Sequence, residues 1–139
     1  MHLLVADDNE INLKVACAYL KALGIPPQAI EVARNGREAI DICEQKDIDL
    51  VFMDIQMPVL DGLQAAREIL QNHQSKPTIV ALTANTVDEA NQECLDAGMR
   101  MVIHKPVTKV AFQEALQLIT AQNIQSSSSL SSKPVLDLS

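Results

Sequence analysis

Four short motifs carry side chains that could do chemistry together: the adjacent acids Asp7-Asp8, a single Asp54, the Thr83 hydroxyl followed by Ala84, and the Lys105 ammonium followed by Pro106. Carboxylates set side by side repel and raise one another's pKa unless a positive charge lies among them. Oxygen-only ligands suit a hard divalent cation such as Mg²⁺, which keeps several waters and takes one or two carboxylates together with substrate phosphate. The three carboxylates carry −3, which a divalent ion and Lys105 would neutralise, so an anionic phosphoryl group could approach. Asp54 would then attack as a carboxylate nucleophile and form an acyl phosphate. Lys105 would pair with a phosphoryl oxygen as a flexible point charge, while the Thr83 hydroxyl and the Ala84 N–H would donate hydrogen bonds.

This chemistry needs elements that bring the motifs together. Short apolar runs at Leu3–Ala6, Ile30–Ala33, Leu50–Met53, Thr78–Leu82 and Met101–Ile103 are each followed by a segment of helical period. Asn9 and Asn35 are N-cap signals, and Gly24 and Gly98 are stop signals. Strands that are apolar throughout and alternate with helices predict a parallel sheet covered on both faces. The expected fold is therefore a doubly wound α/β domain with five strands in the order 2-1-3-4-5. In such a sheet, side chains at the carboxyl ends of the strands converge on one crevice beside the point where strand order reverses.

Taken singly, each motif has a bland reading. Acids after a strand cap helices or form turns, a lone lysine is solvated, and a threonine is an N-cap or a β-branched strand residue. The coincidence of four polar positions at the same ends of four strands favours the chemical reading.

The pattern stops after Gln122, and Ser126–Ser132 is serine apart from Leu130, which reads as a flexible linker. Residues 1–122 are thus expected to form the domain and 123–139 a serine-rich tail. A net charge of −7, no cluster of Lys and Arg, one Tyr, two Phe and no Trp provide no footprint for nucleic acid. No run approaches the roughly 18 to 20 apolar residues of a membrane span. Cys17, Cys43 and Cys94 are odd in number and far apart, suggesting neither disulfides nor zinc and pointing to the reducing cytosol. The expectation is a cytoplasmic module, either free or tethered to a membrane-bound sensor kinase.

Val5-Ala6-Asp7-Asp8-Asn9, Met53-Asp54-Ile55-Gln56-Met57-Pro58 with Asp61-Gly62, Leu82-Thr83-Ala84 and Lys105-Pro106 together resemble the signature of response-regulator receiver domains, over residues 2 to 121. The resemblance implies a flavodoxin-like (βα)5 fold, Asp54 as the phosphorylation site, and Mg²⁺ held by Asp8, by Asp7 through water, by Asp54 and by the Gln56 backbone carbonyl. It also implies Thr83 and Lys105 as phosphoryl contacts and a cis Lys105-Pro106 peptide. Gln56 and Asn85, each two residues beyond a site residue, would flank the water that later hydrolyses the acyl phosphate and so tune its lifetime. One departure is Val102, where the family usually carries Tyr or Phe, so an aromatic readout on the α4–β5–α5 face is not expected.

The stretch Ala6–Asn12 is similar to receivers attached to hybrid histidine kinases, and Pro134–Leu138 resembles the opening of a histidine phosphotransfer domain. Membership of a hybrid kinase whose receiver passes phosphate onward is the expectation. The chain has no Gly-rich ATP loop, and His2, His73 and His104 fall on strands or a loop, so it is not itself the kinase. In the first helix, Ile11, Val15, Ala18 and Ala22 are expected to face the sheet. Leu13, Cys17 and Leu20 would then form an outer stripe for docking a histidine kinase or histidine phosphotransfer partner. Other classes fit less well: an aspartyl phosphohydrolase wants D-x-D on the first strand, and a flavin mononucleotide module wants a small polar phosphate loop where two aspartates stand. An interaction module that never takes phosphate would have no use for the complete set of Asp7, Asp8, Asp54, Thr83 and Lys105.

Overall fold

Every predicted apolar run is a strand: β1 (Leu3–Ala6), β2 (Ile30–Ala33), β3 (Leu50–Asp54), β4 (Thr78–Thr83) and β5 (Met101–His104). The computed structural model describes residues 1–72, 77–84 and 88–128, with helices α1 (Glu10–Ala22), α2 (Gly36–Gln45), α3 (Gly62–Asn72), α4 (Asp88–Asp96) and α5 (Lys109–Ser128) between and after the strands. The strands pair in parallel in the order β2-β1-β3-β4-β5, as the sequence predicts.

Strand side chains alternate between two apolar layers. Leu4, Ala6, Val51, Met53, Ile79 and Ala81 meet α2, α3 and α4 on one face. On the other, Leu3, Val5, Leu50, Phe52, Val80 and Leu82 meet α1 and α5. Because β1 and β3 are buried along their whole length, both faces demand apolar residues, which is why these strands read as unbroken apolar runs. Phe52 and Phe112 lock the sheet to α5 edge to face, with ring centroids 4.6 Å apart.

The helix punctuation acts as predicted. Asn9 Oδ1 accepts from the backbone N–H groups of Ile11 and Asn12, and Asn35 Oδ1 accepts from that of Glu38. Gly24 and Gly98 take positive φ just beyond α1 and α4. All three cysteines are free thiols, and burial pushes Cys43 up to about 11. Among the described residues no helix is long and apolar enough to cross a membrane. The α5 backbone stays helical past Gln122 to Ser128, while the Pro134–Leu138 stretch, His73 and Asn85 lie outside the described residues.

The phase of α1 is the reverse of the expected one. Leu13 and Leu20 are buried in the core with Ala16, and Cys17 is half-buried, so the predicted docking stripe is not a surface. Ile11, Val15, Ala18 and Ala22, expected to face the sheet, are exposed. Volume decides between two stripes of similar period: Leu13, Ala16 and Leu20, flanked by Tyr19 and Leu23, offer more apolar area to the sheet than a set containing two alanines. Truncating Leu20 to Ala should therefore cost about 2–5 kcal/mol in urea unfolding, and Ile11→Ala should stay within about 0.5 kcal/mol. Equal losses at the two positions would contradict this orientation.

Candidate functional site

Register brings the first two acidic motifs level with each other. Ala6 pairs with Met53, so Asp7 and Asp54 leave adjacent central strands side by side. Both are buried, at 1% and 3% exposure, while Asp8 turns outward. One carboxylate oxygen from each of Asp7, Asp8 and Asp54 lies within 4.8 Å of the others. Lys105 reaches in from beyond β5, its Nζ 3.0 Å from Asp7 Oδ2 and 3.2 Å from Asp54 Oδ2.

Local hydrogen bonds fix these side chains. Asp7 Oδ1 accepts from the Asn9 N–H at 2.9 Å and from Asn12 Nδ2 at 3.5 Å. Asp54 Oδ1 accepts from the Gln56 N–H at 3.1 Å. The Lys105 N–H donates to the Thr83 carbonyl at 2.8 Å, which ties the lysine's backbone to the end of β4. Lys105-Pro106 is a cis peptide, as the family resemblance implies. Thr83 is buried at the end of β4, one residue beyond the Asp54–Leu82 pair, and Ala84 and Gln56 are exposed.

Two contributors carried no assigned role in the sequence reading. Asn12 supports Asp7, but asparagine inside a helix gives no signal on its own. Gly62 donates its N–H to the Ile55 carbonyl, and a Cβ there would collide with the Asp54 carbonyl. Its place in the Asp61-Gly62 motif was visible, but a demand for close backbone approach is not written in the letters. The other described histidines make peripheral contacts: His2 Nε2 is 3.0 Å from Glu31 Oε2, and His104 Nε2 is 3.3 Å from Asn91 Oδ1.

The electrostatics are unbalanced. Burial raises the Asp54 pKa first and the Asp7 carboxylate raises it further, while Lys105 and the Gln56 N–H pull it down, leaving it at about 6 against an ordinary 3.8. Burial would lower Lys105, but its hydrogen bond to Asp7 and the charges of both acids outweigh that and hold it above its ordinary value. One ammonium thus serves two buried carboxylates, with Asp8 a third acid in the same cluster. This donor set fits a hard divalent cation: three carboxylate oxygens within 4.8 Å of one another can share one ion, directly or through a coordinated water.

The chain matches the family described as response regulator receiver domain over residues 3–117, and it belongs to that family. Hybrid signal transduction histidine kinase K of Dictyostelium discoideum is 42% identical over 123 residues, covering 83% of this chain and 10% of that protein. The chain spans only 5% to 15% of the length of the first curated relatives it matches. Among solved structures, the receiver domain of sensor histidine kinase PA1611 from Pseudomonas aeruginosa PAO1, with a magnesium ion coordinated in its active-site cleft, aligns with a TM-score of 0.77 at 33% identity, over 86% of this chain and 97% of that one. The receiver domain of the Saccharomyces cerevisiae response regulator Ssk1, crystallised with the histidine phosphotransfer protein Ypd1, aligns with a TM-score of 0.79 at 30% identity, over 88% and 90%. This is a two-component receiver domain, of the kind carried by hybrid histidine kinases.

The raised pKa has a thermodynamic sign. Folded Asp54 holds its proton more tightly than the unfolded chain does, so stability falls as pH rises from about 4 to about 6, and the full penalty of roughly 3 kcal/mol applies above that window. Asp54→Asn, measured with a chelator present, should gain about 1–3 kcal/mol at pH 7 and flatten the pH dependence between 4 and 6. A variant no more stable than the parent at pH 7 would rule this electrostatic picture out.

Proposed function

We propose that this chain is the phosphoacceptor of a phosphorelay, taking a phosphoryl group from a phosphohistidine onto Asp54 with Mg²⁺ bound, as a cytoplasmic part of a hybrid histidine kinase. Residues 1–122 would be the receiver unit and 123–139 a linker toward a further module. The observation that carries this reading is the buried Asp54 carboxylate beside Lys105 Nζ, within a cluster of three acids at the strand ends.

In the proposed reaction an Asp54 oxygen attacks phosphorus, the P–N bond to the imidazole breaks, and its electron pair returns to the ring nitrogen, which takes up a proton. Asp7, Asp8, Asp54 and the Gln56 backbone carbonyl would hold the metal, Asp7 through water. When bound, a divalent ion neutralises charge on the transferring phosphoryl oxygens. Lys105 would move from Asp54 toward a phosphoryl oxygen while keeping Asp7 as its anchor. The Thr83 hydroxyl and the Ala84 N–H would donate to the remaining oxygens. Support comes from Thr83 closing β4 next to Asp54, and from the magnesium in the PA1611 receiver cleft. The phosphodonor would be a histidine kinase or histidine phosphotransfer protein, as in the complex of Ypd1 with Ssk1.

Acetyl phosphate with Mg²⁺ should add one phosphoryl group to the protein by intact mass, and Asp54→Ala or removal of the metal should abolish the gain. Steady turnover of a phosphate ester without a protein adduct would instead support a hydrolase.

A further inference from the structure

Helices α1 and α5 do not close fully over the sheet. Between them lies a slot of about 250 Å³, floored by Val5 and Leu82, with Val15 and Ala16 on one side and Val107 and Phe112 on the other. Ala16 is the reason for the gap. Leu13 and Leu20, one helical turn to either side of it, fill the core, whereas its methyl group leaves space above the sheet. Val15 is 36% exposed, so the slot is reached from solvent.

Its walls are apolar, but one end is not. Asp7, Asn12 and Lys105 line it too, which joins the slot to the acidic crevice from the α1 side. Asp7 takes Lys105 on Oδ2 and, on Oδ1, the Asn9 N–H at 2.9 Å and the Asn12 amide at 3.5 Å. A carboxylate has about four lone-pair sites, so a further donor can be accommodated. The Asn12 amide carbonyl adds a second acceptor at the same end. Water suits such a slot poorly, because most of the lining offers no hydrogen bond.

Size and charge together select the occupant. An apolar cavity of about 150 Å³ holds a benzene ring, so this one takes a single ring with a short polar arm. The arm must be cationic. Lys105 is shared by Asp7 and Asp54, with Asp8 a third acid in the same cluster, so without metal this end of the slot carries net negative charge. A carboxylate or phosphate is repelled there, a hydroxyl gains little, and an ammonium gains a charge-assisted hydrogen bond.

We propose that the α1–α5 slot binds a small hydrophobic primary amine, its ring between Ala16 and Phe112 and its ammonium at Asp7 and Asn12. The amine and a divalent cation at the three acids then oppose each other. Both place positive charge beside Asp7, so each weakens the other by the same factor. An organic cation thereby lowers the metal occupancy of the crevice without entering it.

The test titrates the full chain in EDTA with cyclohexylmethylamine, cyclohexylmethanol and cyclohexanecarboxylate, probes of similar shape and different charge. Tyr19 lines the slot and is the only tyrosine of a chain without tryptophan, so its fluorescence reports occupancy. The amine should bind roughly tenfold more tightly than the alcohol, the gain expected for one charge-assisted hydrogen bond, and the carboxylate more weakly than either. Saturating Mg²⁺ in place of EDTA, at constant ionic strength, should weaken the amine roughly fivefold or more. Ala16→Leu fills the slot and should abolish amine binding, while Val15→Phe, which narrows the entrance from the helix surface, should weaken it. The inference is overturned by an amine that does not bind, that binds no better than the alcohol, that is indifferent to Mg²⁺, or that binds both folded variants as it binds the parent. If Ala16→Leu does not fold, parental affinity in Val15→Phe alone overturns it.

Discussion

Two buried carboxylates share one ammonium, and the rest of the site follows from that shortage. Lys105 Nζ sits 3.0 Å from Asp7 and 3.2 Å from Asp54, both almost fully removed from water. Desolvating an ionised carboxylate costs several kcal/mol, and a single cation at good distance offsets that for one partner more readily than for two. The deficit appears at Asp54, the acid whose pKa is driven to about 6. Asp8, the third acid, stays exposed, where its charge is cheapest to keep. A site left short of positive charge is suited to a hard cation, and it gives up some stability of the metal-free fold in exchange.

The parallel sheet is what makes this shortage possible to build. Asp7 and Asp54 continue β1 and β3, both buried from end to end, so their side chains emerge where neighbouring strands shield them from solvent. Lys105 begins at the far edge, with β4 and β3 lying between it and β1. It can reach Asp7 because the chain beyond β5 returns on the α1 face, where Phe112 of α5 packs 5.9 Å from Tyr19 and 4.6 Å from Phe52. The long stem of lysine then spans the end of β4, which closes at Thr83.

The fold was largely legible because its signals are local. Short, mainly apolar strands, two asparagine caps and two glycine stops are each decided within a few residues, and each appears where the sequence placed it. The acids and the lysine were legible because a strict βα alternation fixes which ends of the strands converge. The phase of α1 was not. Ile11, Val15, Ala18 and Ala22 recur with the same helical period as Leu13, Ala16 and Leu20, so periodicity could not choose between them; only the volume the sheet can accept does. Backbone proximity was equally hidden. Nothing in the letters says that Gly62 lies against the Asp54 carbonyl or that Val59 is held at positive φ, since both arise from how the β3–α3 loop is clamped between the site and Gly36.

The distribution of aromatic residues bears on how such a domain is read. The chain has one Tyr, two Phe and no Trp, and all three rings pack together on the α1–α5 side of the sheet. The opposite layer consists of Ala, Ile, Leu, Val, Met and Cys, with Val102 of β5 packed half-buried against it. A ring that swings between buried and exposed positions is therefore unavailable at Val102, and a valine with one stiff side-chain torsion has no comparable pair of states. A change at Asp54 lacks an aromatic lever toward α4 and β5.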